Sequence, residues 1–336
     1  MVDIVFFKGH SEYSVFDLWL EEISSALAGK GFVLRIIDLT DSSSIKESLN
    51  RAFDIPALCY MGFNGQGSEF GLPPYNAYEN VNKPYIGICV DHPIAHHDRL
   101  LEAQLFYAFI DRSHVVYATE VYGGSSYGFL PHAGSEARNI FSDRPFDVVF
   151  LGSYNSPHER KRTWQGMPKS MCNIIEACIE IYRTDPTQSY SALRDHFFEH
   201  YQVTPSKRLL QQMHFPLSEV DLFLRSESRY RILKDLDECG IAVDLFGAGW
   251  ELESWKMHRL HGPISYQDSL DVMAQTKCLL DVNPNFQSAL HECMLSGMLN
   301  GAVVFTDKSY IYDHAFVNRE SYFAFQSQEP YWGVTK

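Results

Sequence analysis

No C-x-x-C pair occurs in this chain, and its cysteines number seven, an odd count. Cys59, Cys89 and Cys278 fall in apolar runs, where a free thiol behaves as a small hydrophobe. This usage points to a reduced, cytoplasmic setting rather than a disulfide framework. No apolar run is long enough to span a bilayer. Val2–Phe7 is too short for a signal peptide and is interrupted by Asp3. Basic residues are few: 28 Lys and Arg against 42 Asp and Glu give a formal net charge of −14. That argues against a nucleic-acid partner but leaves room for a local basic pocket. No G-x-G-x-x-G fingerprint follows a strand, which disfavours a dinucleotide oxidoreductase. His92, His96 and His97 cluster, but Pro93 intervenes and no Glu follows His92. The H-E-x-x-H pattern is therefore missing, and no metal is expected.

What is present is a globular composition. Of 336 residues, 45% are hydrophobic and 14% aromatic. Single cores rarely outgrow about 250–300 residues, so about two domains are expected. Val2–Phe7, Phe32–Leu39, Ala57–Gly62, Tyr85–Val90 and His114–Thr119 read as strands. Between the first two, Phe16, Trp19, Leu20, Ile23 and Leu27 keep helical spacing behind a Ser14 cap, giving a right-handed βαβ unit. Ile45–Phe53 reads as a short helix and Leu100–Ile110 as an amphipathic one. The first domain closes near residue 140. A second series, 141–336, opens with Phe146–Leu151 and continues through Ala242–Phe246, Lys277–Val282, Ala302–Thr306 and Tyr322–Phe325. Residues 167–238 are helical in pattern, with Pro186, Pro205 and Pro216 as punctuation. They are long for a crossover and are expected to form a helical insert. The reading is α/β, with two doubly wound domains.

The chemistry gathers at strand ends. After Lys277–Val282, Asn283-Pro284-Asn285 breaks the strand. Ser288 is a plausible N-cap, with Ala289 and Leu290 opening a helix whose apolar face continues through Met294, Leu295 and Met298. Asn300-Gly301 has the chemistry of a left-handed helix end. A helix starting just past a parallel strand offers unpaired amides to phosphate. His291 and Glu292 fall in its first turn. A carboxylate there suits ribose or sugar hydroxyls, or merely complements the helix dipole. Gly152-Ser153-Tyr154, Gly247-Ala248-Gly249-Trp250, His261-Gly262 and Tyr266 stand near other strand ends. Each alone is ordinary turn chemistry; together they outline one cleft edge.

In the first domain, Asp91 and His92 follow Tyr85–Val90, where open α/β sheets bind ligands. Asp91 can serve as a general base. The alternative is that Asp91 caps the following turn and His92 packs beneath it. His10, after the first strand, and Arg160, in the run Arg160-Lys161-Arg162, are further candidates; such a run is more often a solvated face.

The stretch Asp281–Asp307 resembles the donor-site segment of glycosyltransferases of the GT-B architecture, with two facing Rossmann-like domains. It is closest to the group-1-like set that includes spore-maturation-protein glycosyltransferases. Asn283, Pro284, Phe286, His291, Glu292, Gly301, Thr306 and Asp307 match that pattern. The order G-S-Y, G-x-G-W, H-G-x-[IV]-x-Y and N-P-x-F matches too, as does the D-H-P segment at Asp91. Cys293 stands where Arg is usual and Ser296 where many members have a ribose-binding Glu; the paired-glutamate motif is absent. The chain ends soon after its last expected strand, where GT-B enzymes usually carry further helices, so a shortened chain or a short member is expected.

The resemblance implies transfer of a sugar from a nucleotide-diphosphate sugar, expected to be a UDP-sugar, to an unidentified acceptor: a protein side chain, a glycan or a small molecule. It implies a donor site built from Gly152, Ser153, Tyr154, Gly247, Gly249, Trp250, His261, Gly262, Tyr266, Asn283, Asn285, Ser288, Ala289, Leu290, His291 and Glu292. Asp91 and His92 are its catalytic candidates, with no cofactor beyond the donor. The alternatives are a sugar-nucleotide epimerase on the same double fold, and a binding or scaffold protein without turnover.

Overall fold

A computed structural model describes residues 1–41, 45–71, 76–101, 105–123, 126–282, 286–307 and 322–325. The chain divides into two compact units, Met1–Pro131 and His132–Lys336. In the first, β1 (Val2–Lys8), β2 (Phe32–Asp38), β3 (Tyr60–Phe63), β4 (Tyr85–Cys89), β5 (Phe106–Phe109) and β6 (Tyr127–Phe129) form one sheet. Its order is β2-β1-β3-β4-β5-β6, with every pairing parallel. Helices α1 (Val15–Ala28), α2 (Ile45–Asp54), α3 (Ala77–Asn80), α4 (His97–Leu100) and α5 (Arg112–Tyr122) lie between the strands in sequence. The centre of β1 is buried on both faces, hence its unbroken apolar run. Phe6 packs with Phe16 and Leu20 of α1, while Phe7 meets the rings of Phe53, Tyr60 and Phe70.

The expected helix near Leu100–Ile110 and strand at His114–Thr119 are corrected by the structure: Phe106–Phe109 is β5 and Arg112–Tyr122 is α5. Asp111 decides the matter. Its carboxylate accepts the Ser113 amide and the Ser113 hydroxyl, each at 2.7 Å, and so caps a helix. The β-branched pair Val115-Val116 is carried into that helix because propensity is a weak prior against capping and packing.

In the second unit, β7 (Phe146–Leu151), β8 (Asp244–Phe246), β9 (Arg259–Gly262), β10 (Thr276–Asp281), β11 (Val303–Asp307) and β12 (Phe323–Phe325) form a second parallel sheet. Its order is β12-β11-β10-β7-β8-β9. Counted from β7, this is the doubly wound order whose direction reverses between the first strand and the fourth, here β7 and β10. β9 is a strand that the sequence reading did not name. Between β7 and β8 run α6 (Pro157–Trp164), α7 (Lys169–Thr184), α8 (Tyr190–His200), α9 (Lys207–Gln212) and α10 (His214–Glu238). α11 (Tyr266–Ala274) and α12 (Glu292–Leu299) complete the unit. The helical insert is therefore real, and opens at Pro157. Pro216 does punctuate it: α9 stops at Gln212, four residues before the proline, which lies in the first turn of α10, where the missing N–H costs nothing.

α10 is about 37 Å long at the usual helical rise. Ile232 and Leu233, in its second half, pack on Phe150, Leu245 and Leu280 of the sheet, and α10 also contacts α7. The same helix thus closes the crossover and carries the insert. His132–Asn139, which the sequence reading assigned to the end of the first domain, is stapled to the second. The Ser135 amide donates to Ser296 Oγ at 2.9 Å, the Ala137 amide to Asn300 Oδ1 at 2.7 Å, and Asn139 to Asp271 at 2.6 Å. No helix among the described residues is long and apolar enough to cross a membrane.

Candidate functional site

The loops after β7 and β8 interlock at the carboxyl end of the second sheet. The Gly152 amide donates to the Phe246 carbonyl at 2.9 Å, the Tyr154 amide to the Ala248 carbonyl at 2.8 Å, and the Gly247 amide to the Gly262 carbonyl at 2.8 Å. Trp250 Nε1 donates to the Gly152 carbonyl at 2.8 Å. Such closeness demands glycine: a Cβ on Gly247 would fall 2.2 Å from the Gly152 carbonyl oxygen, and one on Gly249 would fall 2.1 Å from that of Tyr154. Tyr154 and Trp250 are buried and stacked 4.7 Å apart, and the Tyr154 hydroxyl donates to Glu253 at 2.7 Å. His261 stacks on Phe246 at 4.3 Å and bonds the buried Asp244 at 2.7 Å; Arg259 bonds that same carboxylate. Gly262, in the left-handed region at φ +70°, faces open space.

Across the β7/β10 reversal lies the loop ahead of α12. Asn283 and Asn285 are outside the described residues. The helix expected to open at Ala289 behind a Ser288 cap begins instead at Glu292, with His291 as its N-cap residue. Side-chain bonds hold the preceding loop out of the helix. Gln287 Nε2 donates to the Gln188 carbonyl of the insert, His291 Nδ1 bonds Asp281 Oδ1 at 3.0 Å, and Phe286 packs on the His291 ring. Ser288, Ala289 and Leu290 thus precede the helix, and its unpaired amides are those from Glu292 onward.

His291 and Asp281 form a pair that the sequence did not reveal. Burial opposes charge on the imidazole, but the field and hydrogen bond of Asp281 outweigh it, so its pKa stands above the ordinary 6.5. Thr306 Oγ1 donates to the other carboxylate oxygen of Asp281 at 3.2 Å. Glu292 is only 7% exposed. Its Oε1 accepts the hydroxyls of Tyr266 and, at 2.6 Å, Ser296. Ser296 in turn accepts the Ser135 amide at 2.9 Å. Two of the candidate donor contacts, Tyr266 and Glu292, are thus bonded to each other and to the very serine that departs from the family pattern.

Asp281, His291 and Cys293 bring an oxygen, a nitrogen and a sulfur within 4.8 Å of one another, a donor set a transition metal could use. Burial, then Glu292 and Asp281, push the Cys293 thiol well up, keeping it protonated, and the cationic Arg229 acts on both Cys293 and His291. Arg160 is ion-paired with Glu219 of the insert at 3.1 Å, a carboxylate that also accepts Trp164 Nε1 at 2.9 Å.

In the first unit the loop after β3, opaque in the sequence, ties three strand ends together. Asn64 Oδ1 accepts the Val90 amide at 2.9 Å, and its Nδ2 donates to Asp91 Oδ2 at 2.9 Å. Gln66 Oε1 accepts the Gly9 amide at 2.7 Å, and its Nε2 donates to the His10 carbonyl at 3.3 Å. His10 is exposed. The Asp91 side chain is 50% exposed, with His96 Nε2 3.6 Å away. His92 is 4% exposed; its Nδ1 accepts the Ile94 amide at 3.2 Å and its ring packs on His114 and Tyr117. So Asp91 is presented to solvent by Asn64, while His92 caps the turn beneath it.

Comparison with protein-family profiles finds no match, and no curated protein matches the chain. Among solved structures, AviGT4, a glycosyltransferase involved in avilamycin A biosynthesis, aligns at 11% identity over 98% of this chain and 85% of that one, with a TM-score of 0.51. Anabaena Alr3699/HepE, solved in complex with UDP and glucose, aligns at 12% identity over 98% and 88%, with a TM-score of 0.48. Sucrose-phosphate synthase from Thermosynechococcus elongatus aligns at 9% identity over 98% and 87%, with a TM-score of 0.49. At such identities likeness speaks to fold, and the fold, two parallel six-stranded sheets each wound with helices, is that of the GT-B architecture.

Proposed function

We propose that this chain is a nucleotide-sugar-dependent glycosyltransferase whose second unit binds the donor. One observation carries the reading. At the β7/β10 reversal of the second sheet, the interlocked glycine loops, the start of α12 and a His291 of raised pKa converge on the carboxyl ends of the strands. Amides and an imidazolium there suit the negative charge that grows on a departing diphosphate. His261, exposed where it stacks on the buried Phe246, suits a base or sugar ring. In the first unit Asp91, held by Asn64, is the acceptor-side base. A UDP-sugar is the expected donor, and the set related to spore-maturation-protein glycosyltransferases is the group whose motifs it shares.

Calorimetric titration with UDP, ADP, GDP and dTDP, followed by turnover assays on the matching nucleotide sugars, tests the reading. Binding of one diphosphate, with sugar transfer to an added acceptor, is the expected result. Donor epimerised without acceptor would make the chain an epimerase. Binding without any turnover would make it a scaffold, and no nucleotide binding at all would remove the proposal.

A further inference from the structure

The two strand ends that flank the reversal of the second sheet are bridged by one side chain that the sequence did not single out. Arg229, on α10, donates through Nη1 to the Ser153 carbonyl, just past β7, at 3.0 Å. Its Nε points to the Val282 carbonyl, just past β10, at 3.5 Å. Its Cζ lies 5.7 Å from the centre of the Phe150 ring. The helix places it there by periodicity: Asp221, Arg225 and Arg229 recur every fourth residue along one stripe of α10.

The charges along that stripe do not balance. Asp221 is spent on Arg225, at 2.6 Å, and on the Tyr190 hydroxyl, also at 2.6 Å. Asp281, whose charge also acts on Arg229, is spent on His291. Among the described residues Arg229 has no ion pair; its hydrogen bonds go only to neutral carbonyls. Burial, then the charge of Arg225, pushes it down to about 10. A desolvated cation that lacks a counter-charge is costly, and an anion seated beside it recovers that cost. A guanidinium also carries more donors than two carbonyl contacts use, in a fork that matches phosphate oxygens.

We propose that Arg229 is the anchor for the diphosphate of the donor, brought to the strand ends by α10 of the helical insert. This rests on the donor-binding reading above. The start of α12 turns its unpaired amides to the carboxyl ends of the same strands, which suits an anion that accepts several hydrogen bonds. The insert is then part of the binding site rather than an ornament on the fold.

The test uses the full chain with Arg229→Met, which keeps bulk and removes charge, and Arg229→Lys, which keeps charge and removes the fork. Calorimetry measures UDP, ADP, uridine, adenosine and inorganic pyrophosphate. For whichever diphosphate the wild type binds, Arg229→Met is expected to lose about 10- to 100-fold in affinity, and Arg229→Lys less. The matching nucleoside should bind equally to all three proteins. The free Arg229→Met protein should melt no lower than wild type, because a partly buried charge without an ion-pair partner among the described residues has gone. If both variants bind the diphosphate as tightly as wild type, the inference is overturned and the donor reading stands. If the wild type binds pyrophosphate through Arg229 but no nucleotide, the anion anchor stands and the donor reading falls. If the wild type binds neither, both fall. Should Arg229→Met fail to fold, a wild-type affinity in Arg229→Lys alone overturns the fork.

Discussion

Asp91 and His92 are neighbours in sequence with opposite fates in space. The carboxylate stands half-exposed against Asn64, and the imidazole is turned under as a cap. Only the first is open to solvent, as the acceptor-side base of the proposed reaction must be. Asp91→Ala is therefore expected to leave nucleotide affinity within about twofold and to cut transfer by about 10²–10⁴-fold. Transfer at full rate in that variant would sink the assignment. Asn64 adopts the left-handed region at φ 51° and spends both ends of its amide on the end of β4. That partnership was hidden in a glycine-rich loop with no period to read. The His291–Asp281 pair gives a second prediction, with its sign fixed by the raised imidazole pKa. Its stabilisation is fully present below the ordinary value of 6.5 and is lost as pH rises through the higher folded value. The melting temperature of wild type should exceed that of His291→Gln most near about pH 5.5, and the gap should shrink by about 2–4 °C by about pH 8. A gap that grows with pH would mean the imidazole is neutral in the fold. His291 is legible as a candidate because it stands in a motif. Asp281 is not, because a carboxylate closing an apolar strand looks like any strand end until its neighbour is known.

Among the elements, those that a single period defines were legible: β1, α1, β7, the helical insert and the glycine stop after α12. Two failures share one cause. α5 and α12 begin where a side chain fixes the first turn, Asp111 by capping it and His291 by being held out of it by Asp281. Apolar spacing continues across such a point without marking it, so the spacing puts the α12 cap at Ser288, three residues ahead of the observed His291. The glycine loops after β8 and β9 divide by what surrounds each residue. Gly249 lies at φ +92° with the Tyr154 carbonyl 2.1 Å from a would-be Cβ, whereas Gly262 lies at φ +70° in open space. Gly249→Ala should cost about 3 kcal/mol or more, conformational strain plus a backbone clash. Gly262→Ala should cost only the conformational part, about 1–2 kcal/mol. Urea midpoints at constant m-value measure both. Equal losses would show that the two loops separate more readily than their hydrogen bonds suggest.

At the level of the whole molecule, alternation of strand and helix announced two doubly wound units, but not the order of strands within either. Order depends on which strand each crossover returns beside, and no local pattern records that. The reversal between β7 and β10 therefore became visible only with the topology, and Arg229 became meaningful only with the reversal, since nothing in Asp221–Arg231 distinguishes it from a salt-bridged helix face. If the second unit binds the diphosphate at that reversal, the response of the intact chain must be local. Amide hydrogen exchange with and without saturating UDP, or whichever diphosphate binds, should slow in 151–154, 247–250 and 286–295 and in the α10 turn around Arg229. The β1–β6 strands should exchange as before, since local opening free energies respond to ligand only where ligand closes the opening. In Arg229→Met, at a ligand concentration that restores occupancy, the protection in α10 should vanish while that at 247–250 persists. Protection confined to the first unit would move the nucleotide there and leave the second sheet without its proposed role.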